Sequence, residues 1–246
     1  MSLPPELIDE IIHHLPLDEP QALQNCSLVA KSWVHCSQKR LFQTVNISKS
    51  TRSSWKDRIS PVNLELLHHV RSLTFTIDPT AWLRFPGYRI DSLGDYLPSF
   101  HNLESLVLSS MDLQSDISQQ VGNFAAFRLT LSSLSLSGCY LSPSVLVIIV
   151  NCFPNLIDLQ LRAPMRAEDH EPVPPLSRPL RGRLSVLAFR NHDLPVLNQL
   201  SDLPPELDEL VIGGGAQVTT GYGHIVATYA GSVKRLRLLR GFECKS

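Results

Sequence analysis

The sequence predicts an α/β protein: a short α-helical domain at the amino terminus, then an irregular solenoid whose stacked units build one curved parallel sheet. Three observations predict it. Leu7, Ile8, Ile11, Ile12 and Leu15 recur at helical spacing, which lays a wide apolar stripe along one helix. From residue 70 onward, a unit of three apolar residues, spaced by three and then by two, returns at intervals of 23 to 33 residues. A repeat of that length marks a stacked architecture in which each unit is too small to bury its own apolar face. Between the copies, 117–127, 144–152 and 222–230 read as helices, the crossovers that parallel strands require.

Taken in order, the first helix opens at Pro4-Pro5-Glu6. Proline there loses no hydrogen bond, and the Glu6 charge suits the positive end of the helix dipole. Pro16 ends it, Asp18 is an N-cap for a second helix with Pro20 just inside, and Leu28, Val29, Trp33 and Val34 begin a third segment that closes near Lys39-Arg40. Three short helices cannot bury this much apolar surface among themselves. Either the rest of the chain or another protein must cover it.

The repeat copies are Val70-Leu73-Phe75, Leu103-Leu106-Leu108, Leu131-Leu134-Leu136, Leu156-Leu159-Leu161, Leu184-Leu187-Phe189, Leu207-Leu210-Ile212 and Val233-Leu236-Leu238. Phe42-Val45-Ile47 has the same spacing and reads as a further copy. Residues two apart in a strand share a face, so Leu106, Leu134, Leu159, Leu187 and Leu210 are expected to stack as one buried ladder. Phe100-His-Asn-Leu-Glu-Ser-Leu-Val-Leu108 also parallels Phe153-Pro-Asn-Leu-Ile-Asp-Leu-Gln-Leu161 over its whole length. Two stretches break the period. Residues 48–61 are polar and loop-like, and 163–182, with five prolines, read as an inserted surface loop unable to hold a strand or helix. After the last copy no polar capping unit follows, so an exposed apolar end is expected.

The chain is 43% hydrophobic, 18% charged and has a net charge of -1, which argues against a general nucleic-acid or membrane binder. Its five cysteines are scattered without CxxC spacing, and no signal peptide or bilayer-length apolar run is present. A reducing cytoplasmic or nuclear setting fits. His13-His14 and His68-His69 lack the spacing and third ligand of a metal site. Asp169-His170-Glu171 reads as a solvated charge run, and Gly213-Gly214-Gly215 as a loose turn without the spacing of a phosphate loop. Cys26 and Cys139 read as buried thiols. No catalytic machinery, metal or cofactor is expected.

The amino-terminal pattern resembles an F-box, most closely the many F-box proteins of filamentous fungi. The matching residues are Leu3-Pro4, Glu6, Leu7, Ile11, Leu15, Leu23, Cys26-Ser27-Leu28-Val29, Lys31 and Trp33; Ala30 stands where many members carry Cys. The resemblance implies docking on the Skp-type linker subunit of an SCF cullin–RING ubiquitin ligase, through Leu3, Pro4, Glu6, Leu7, Ile8, Ile11, Leu15, Leu23, Leu28, Val29 and Trp33. The later units resemble leucine-rich repeats. Leu131-Leu134-Leu136-Cys139-Leu141 fits that pattern completely, the copies with Met111 and His192 depart at the Asn/Cys position, and Pro164 and Gly215 interrupt the tails of others. The division is then residues 1–45 for the F-box and 46–246 for the repeat domain. Such an arrangement implies an adaptor that carries an unknown protein substrate to the ligase and does no chemistry itself. The residues between the ladder positions would face the concave side. Among them Asp158, Gln160, Arg162, Arg190, Glu209, Arg235 and Arg237 gather on the later strands, where arginine forks suit an acidic or phosphorylated target. Two other readings stand beside it: a repeat scaffold whose amino-terminal helices merely cap the solenoid, and a hydrolase with 163–182 as its lid.

Overall fold

A computed structural model describes residues 3–16, 20–48, 64–76, 97–113, 121–122, 124–162, 165–166, 174–178, 181–187, 206–214 and 233–240. Asp18, Asp169-His170-Glu171, Arg190 and the helix expected at 222–230 lie outside the described residues, as does most of 48–61.

Three helices come first: α1 (Pro5–His14), α2 (Pro20–Val29) and α3 (Lys31–Leu41). Proline stands at the start of α1 and Glu6 in its first turn, as the capping chemistry requires. Leu28 and Val29 end α2 instead of opening a third helix; the chain turns at the extended residue Ala30 and α3 begins at Lys31. Ile8, Ile12 and Leu23 form the core of this domain, with Leu15, Cys26, Trp33, Cys36 and Leu41 packed around it.

The chain then enters an eight-stranded, all-parallel sheet. Its strands in spatial order are β1 (Thr44–Ser48), β2 (Ser72–Thr76), β3 (Ser105–Ser109), β4 (Ser133–Ser137), β6 (Asp158–Arg162), β8 (Arg181–Leu187), β9 (Glu206–Gly214) and β10 (Arg235–Arg240). The sheet begins at Thr44, so a boundary at residue 45 would cut its first strand. The ladder is Val45, Leu73, Leu106, Leu134, Leu159, Leu184 and Leu210, all buried, and it ends at Leu236, which is exposed. A second row, Ile47, Phe75, Leu108, Leu136 and Leu161, runs beside it on the same face, and the backbone pairing continues its register through Val186, Ile212 and Leu238.

One register expectation is overturned. Leu184, and not Leu187, occupies the ladder in β8. The physical reason is charge and backbone geometry. With Leu184 in register, Arg183 falls between Asp158 and Glu209 on the neighbouring strands and pairs with Glu209 at 3.3 Å. With Leu187 there, Val186 would fall between those two carboxylates. The shift is absorbed by an irregularity between Gly182 and Arg183. Gly182 has φ +75°, and a Cβ built on it would lie 2.3 Å from the Ile157 carbonyl oxygen, so only glycine fits.

Units are tied to one another at both strand ends. Before the strands, Asn102 Nδ2 donates to His68 O at 2.9 Å and Asn155 Nδ2 to Leu129 O at 2.7 Å. This is the reason the Phe100–Leu108 and Phe153–Leu161 segments match; in the unit between them Thr130 Oγ1 donates to Leu103 O at 2.8 Å. After the strands, the buried Cys139 thiol donates to Leu108 O at 3.3 Å, and burial pushes its pKa to about 11. Two short strands, β5 (Tyr140–Leu141) and β7 (Met165–Arg166), form a second parallel pair.

The proline-rich insertion therefore does hold a strand. Its later part is also fastened down: Leu176 is buried in the core, and Ser177 N donates to Asn151 Oδ1 at 2.8 Å while Asn151 Nδ2 donates to Pro175 O at 3.1 Å. Asn151 belongs to α5 (Pro143–Cys152), whose Ser142 N-cap accepts from Val145 N at 3.3 Å. A short α4 (Leu64–Leu67) precedes β2. Phe124, Phe127 and Phe153 meet with ring centroids 5.3 to 5.9 Å apart, filling the layer behind the sheet. Gly213 and Gly214 lie inside β9, paired with Leu239 and Arg240, and are not a loose turn.

Candidate functional site

Two surfaces are candidates. The first is the outer side of the helical domain. Helix α1 carries two adjacent rows of aliphatic residues at i, i+4 spacing, and they part company. Ile8 and Ile12 turn inward, while Leu7 and Ile11 face outward. Leu3, Leu7 and Ile11 are between 42% and 46% exposed, Leu28 is 83% and Val29 66%. Pro4 and Glu6 are exposed beside them. Ile8 and Leu23, expected from the resemblance to touch a partner, are instead interior residues of the three-helix core; Leu15 and Trp33 are half-buried against it. The outward set is thus Leu3, Pro4, Glu6, Leu7, Ile11, Leu28 and Val29.

The inward side of this domain meets the first units of the sheet without merging with them; the two buried clusters are distinct. Arg40 Nη2 donates to His13 O at 3.3 Å and Arg40 Nη1 to Gln43 Oε1 at 3.1 Å, joining the end of α1 to the start of β1. The His35 and His69 rings meet edge-to-face at 5.3 Å. Between domain and sheet lies a cleft of about 230 Å³ lined by Asp9, Cys36, Lys39, Arg40, His69 and Arg71 among others. Burial lowers the His69 pKa, and His35, Lys39, His68 and Arg71 push the same way.

The second surface is the face of the sheet opposite the ladder. Strands β2, β3 and β4 present serine, threonine and Val107 there. From β6 onward the face is charged. Gln160 Nε2 donates to Asp158 Oδ2 at 2.8 Å, and Arg162 Nη2 to Gln160 Oε1 at 3.1 Å. Glu209, only 14% exposed, sits among three guanidinium groups: Arg237 Nε at 2.7 Å, Arg183 Nε at 3.3 Å and Arg235 Nη1 at 3.8 Å. One carboxylate thus orients three half-exposed cations, and the surplus charge is positive.

The structure therefore gathers Asp158, Gln160 and Arg162 into one hydrogen-bonded chain and Glu209, Arg235 and Arg237 into one ion cluster. The place expected for Arg190 is held by Leu187, because of the register of β8. Arg183 is the residue that sequence reasoning missed. Its signal was present: it immediately precedes the ladder leucine, as Asp158, Glu209 and Arg235 do. The middle row is also less open than expected, since Ser135, Ser185 and Val211 are buried. These short side chains sit beside longer ones on the neighbouring strands, Gln160 next to Ser135 and Ser185 and Arg237 next to Val211.

Among the described residues no helix is long and apolar enough to cross a membrane. A comparison with curated proteins finds no match. Residues 1–43, which span α1 to α3, match the model of the F-box domain. With that domain at its head and a repeated parallel sheet behind it, the chain is an F-box protein carrying a solenoid repeat domain.

Proposed function

We infer that the chain is a substrate-recognition subunit of an SCF-type cullin–RING E3 ubiquitin ligase. The F-box domain docks on the Skp-type linker, and the solenoid, resembling leucine-rich repeats, holds the target protein. F-box domains suggest such an adaptor in general. The observation that carries the reading for this chain is the outward apolar set on α1 and α2, which the chain's own solenoid leaves uncovered. Each aliphatic side chain buried by a partner there gains roughly 1.5–3 kcal/mol on full burial. Helices that served only to cap the solenoid would turn their apolar surface toward it. Here the helical domain has its own core, separate from that of the sheet, and His35 of α3 meets His69 ahead of β2 ring to ring.

The face of β6 to β10 opposite the ladder is the proposed target surface, with an acidic or phosphorylated group held by the guanidiniums around Glu209. F-box adaptors with solenoid domains are typically binding proteins without catalysis, and the reading places this one in the cytoplasm or nucleus. Co-expression with a Skp-type linker tests the first half: a stoichiometric complex is expected, and failure to form one returns the scaffold reading. For the second half, Arg162, Arg183 and Arg237 are changed together to Glu in the linker-bound protein. Captured clients should fall away. The same clients in the same amounts would refute this site.

A further inference from the structure

The two ends of the sheet differ. At β1 the ladder residue Val45 and its neighbour Ile47 are each 3% exposed. At β10, last in the strand order, the ladder residue Leu236 is 40% exposed, against 0% to 3% for Leu73, Leu106, Leu134, Leu159, Leu184 and Leu210. An aliphatic residue that every other strand buries is here left half in water, on the strand where the order of described strands ends.

Charge says what would fit there. Across one row of the sheet the residues before the ladder leucine alternate in sign: Asp158, Arg183, Glu209, Arg235. Two strand positions further along, Arg237 adds a second cation to β10. The next strand in the sequence of signs is acidic. Opposite charges directly across a strand pair stabilise it and like charges destabilise it.

We propose that the outer edge of β10 captures an extended acidic–aliphatic segment of a partner protein by parallel strand addition. Its two acidic residues, two apart, lie against Arg235 and Arg237, and the aliphatic residue between them covers Leu236. Main-chain hydrogen bonds supply affinity and the alternate side chains supply selection. A second copy of this chain is a poor occupant. Through β10 it would set the arginines against their own kind, and through its other edge strand, β1, it would offer Thr44 and Asn46 where acidic residues are wanted. The inference is independent of linker docking, because it concerns only the far end of the sheet.

The test uses the unmodified full chain and fluorescein-labelled peptides in anisotropy titrations. A Gly-Glu-Leu-Glu-Leu-Leu-Gly peptide should bind, more weakly as salt rises, and roughly tenfold better than its Gly-Lys-Leu-Lys-Leu-Leu-Gly counterpart. Two N-methylated versions of the acidic peptide, one methylated at both Glu residues and one at the first two Leu residues, separate strand addition from charge alone. In strand addition only alternate amides point at β10, so one version should lose binding and the other keep it. No binding of the acidic peptide, equal binding of the lysine peptide, or two methylated versions that behave alike would overturn the proposal.

Discussion

Gly182 shows how much one residue decides. Its positive φ and the nearby Ile157 carbonyl leave no room for a Cβ, and through it Arg183 reaches Glu209. For an L-residue the left-handed conformation alone costs roughly 1–2 kcal/mol, to which the overlap adds. Gly182→Ala should therefore lower the melting temperature, and an unchanged melting curve would refute this backbone. His69 makes a second prediction at this scale. Burial, and then His35, Lys39, His68 and Arg71, hold its pKa below 6.5. A depressed folded pKa means that the associated stability is present above pH 6.5 and is lost as pH falls through the folded value. Melting temperature should decline on acidification, and the decline should be smaller in His69→Gln. Identical pH profiles for the two proteins would contradict the assignment.

At the scale of the element, the strands differ in how they are supported. Leu134 is fully buried with neighbours on both sides, whereas Leu236 ends the ladder half-exposed. Leu134→Ala should cost about 2–5 kcal/mol, and Leu236→Ala clearly less, measured by denaturant unfolding. Equal losses would mean that the ladder is not the continuous structure described. The ladder was legible in the sequence wherever the leucine spacing stood alone, from β1 to β6, and again in β9 and β10. It misled at β8, where Leu184-Leu187-Phe189 offers the same spacing three residues late. There a glycine and the charge of Arg183 set the register, and apolar spacing is blind to both. The Pro-rich insertion was misread for a related reason. Proline count predicts irregular backbone, but not that Pro175 and Ser177 would be pinned to α5 through Asn151, with Leu176 buried between them.

At the scale of the whole molecule, the F-box domain precedes β1 and leaves Leu7, Ile11 and Leu28 exposed; the charged face of the later strands lies beyond, and β10 is the last of the described strands in the sheet order. Which helices would form was readable from capping and periodicity. Which row of α1 would turn outward was not, because Leu7, Ile8, Ile11 and Ile12 are chemically alike and only packing against Leu23 separates them. The central claim is that the outward row is a docking face and not the lid of the solenoid. The direct test is a calorimetric titration of a purified Skp-type linker with the wild-type chain and with the Leu7→Ala, Ile11→Ala, Leu28→Ala triple variant, alongside melting curves of both chains. Tight stoichiometric binding by the wild type, loss of roughly a hundredfold or more in the variant, and an unchanged melting curve are expected. Equal binding by both, or a variant whose solenoid unfolds, would contradict it.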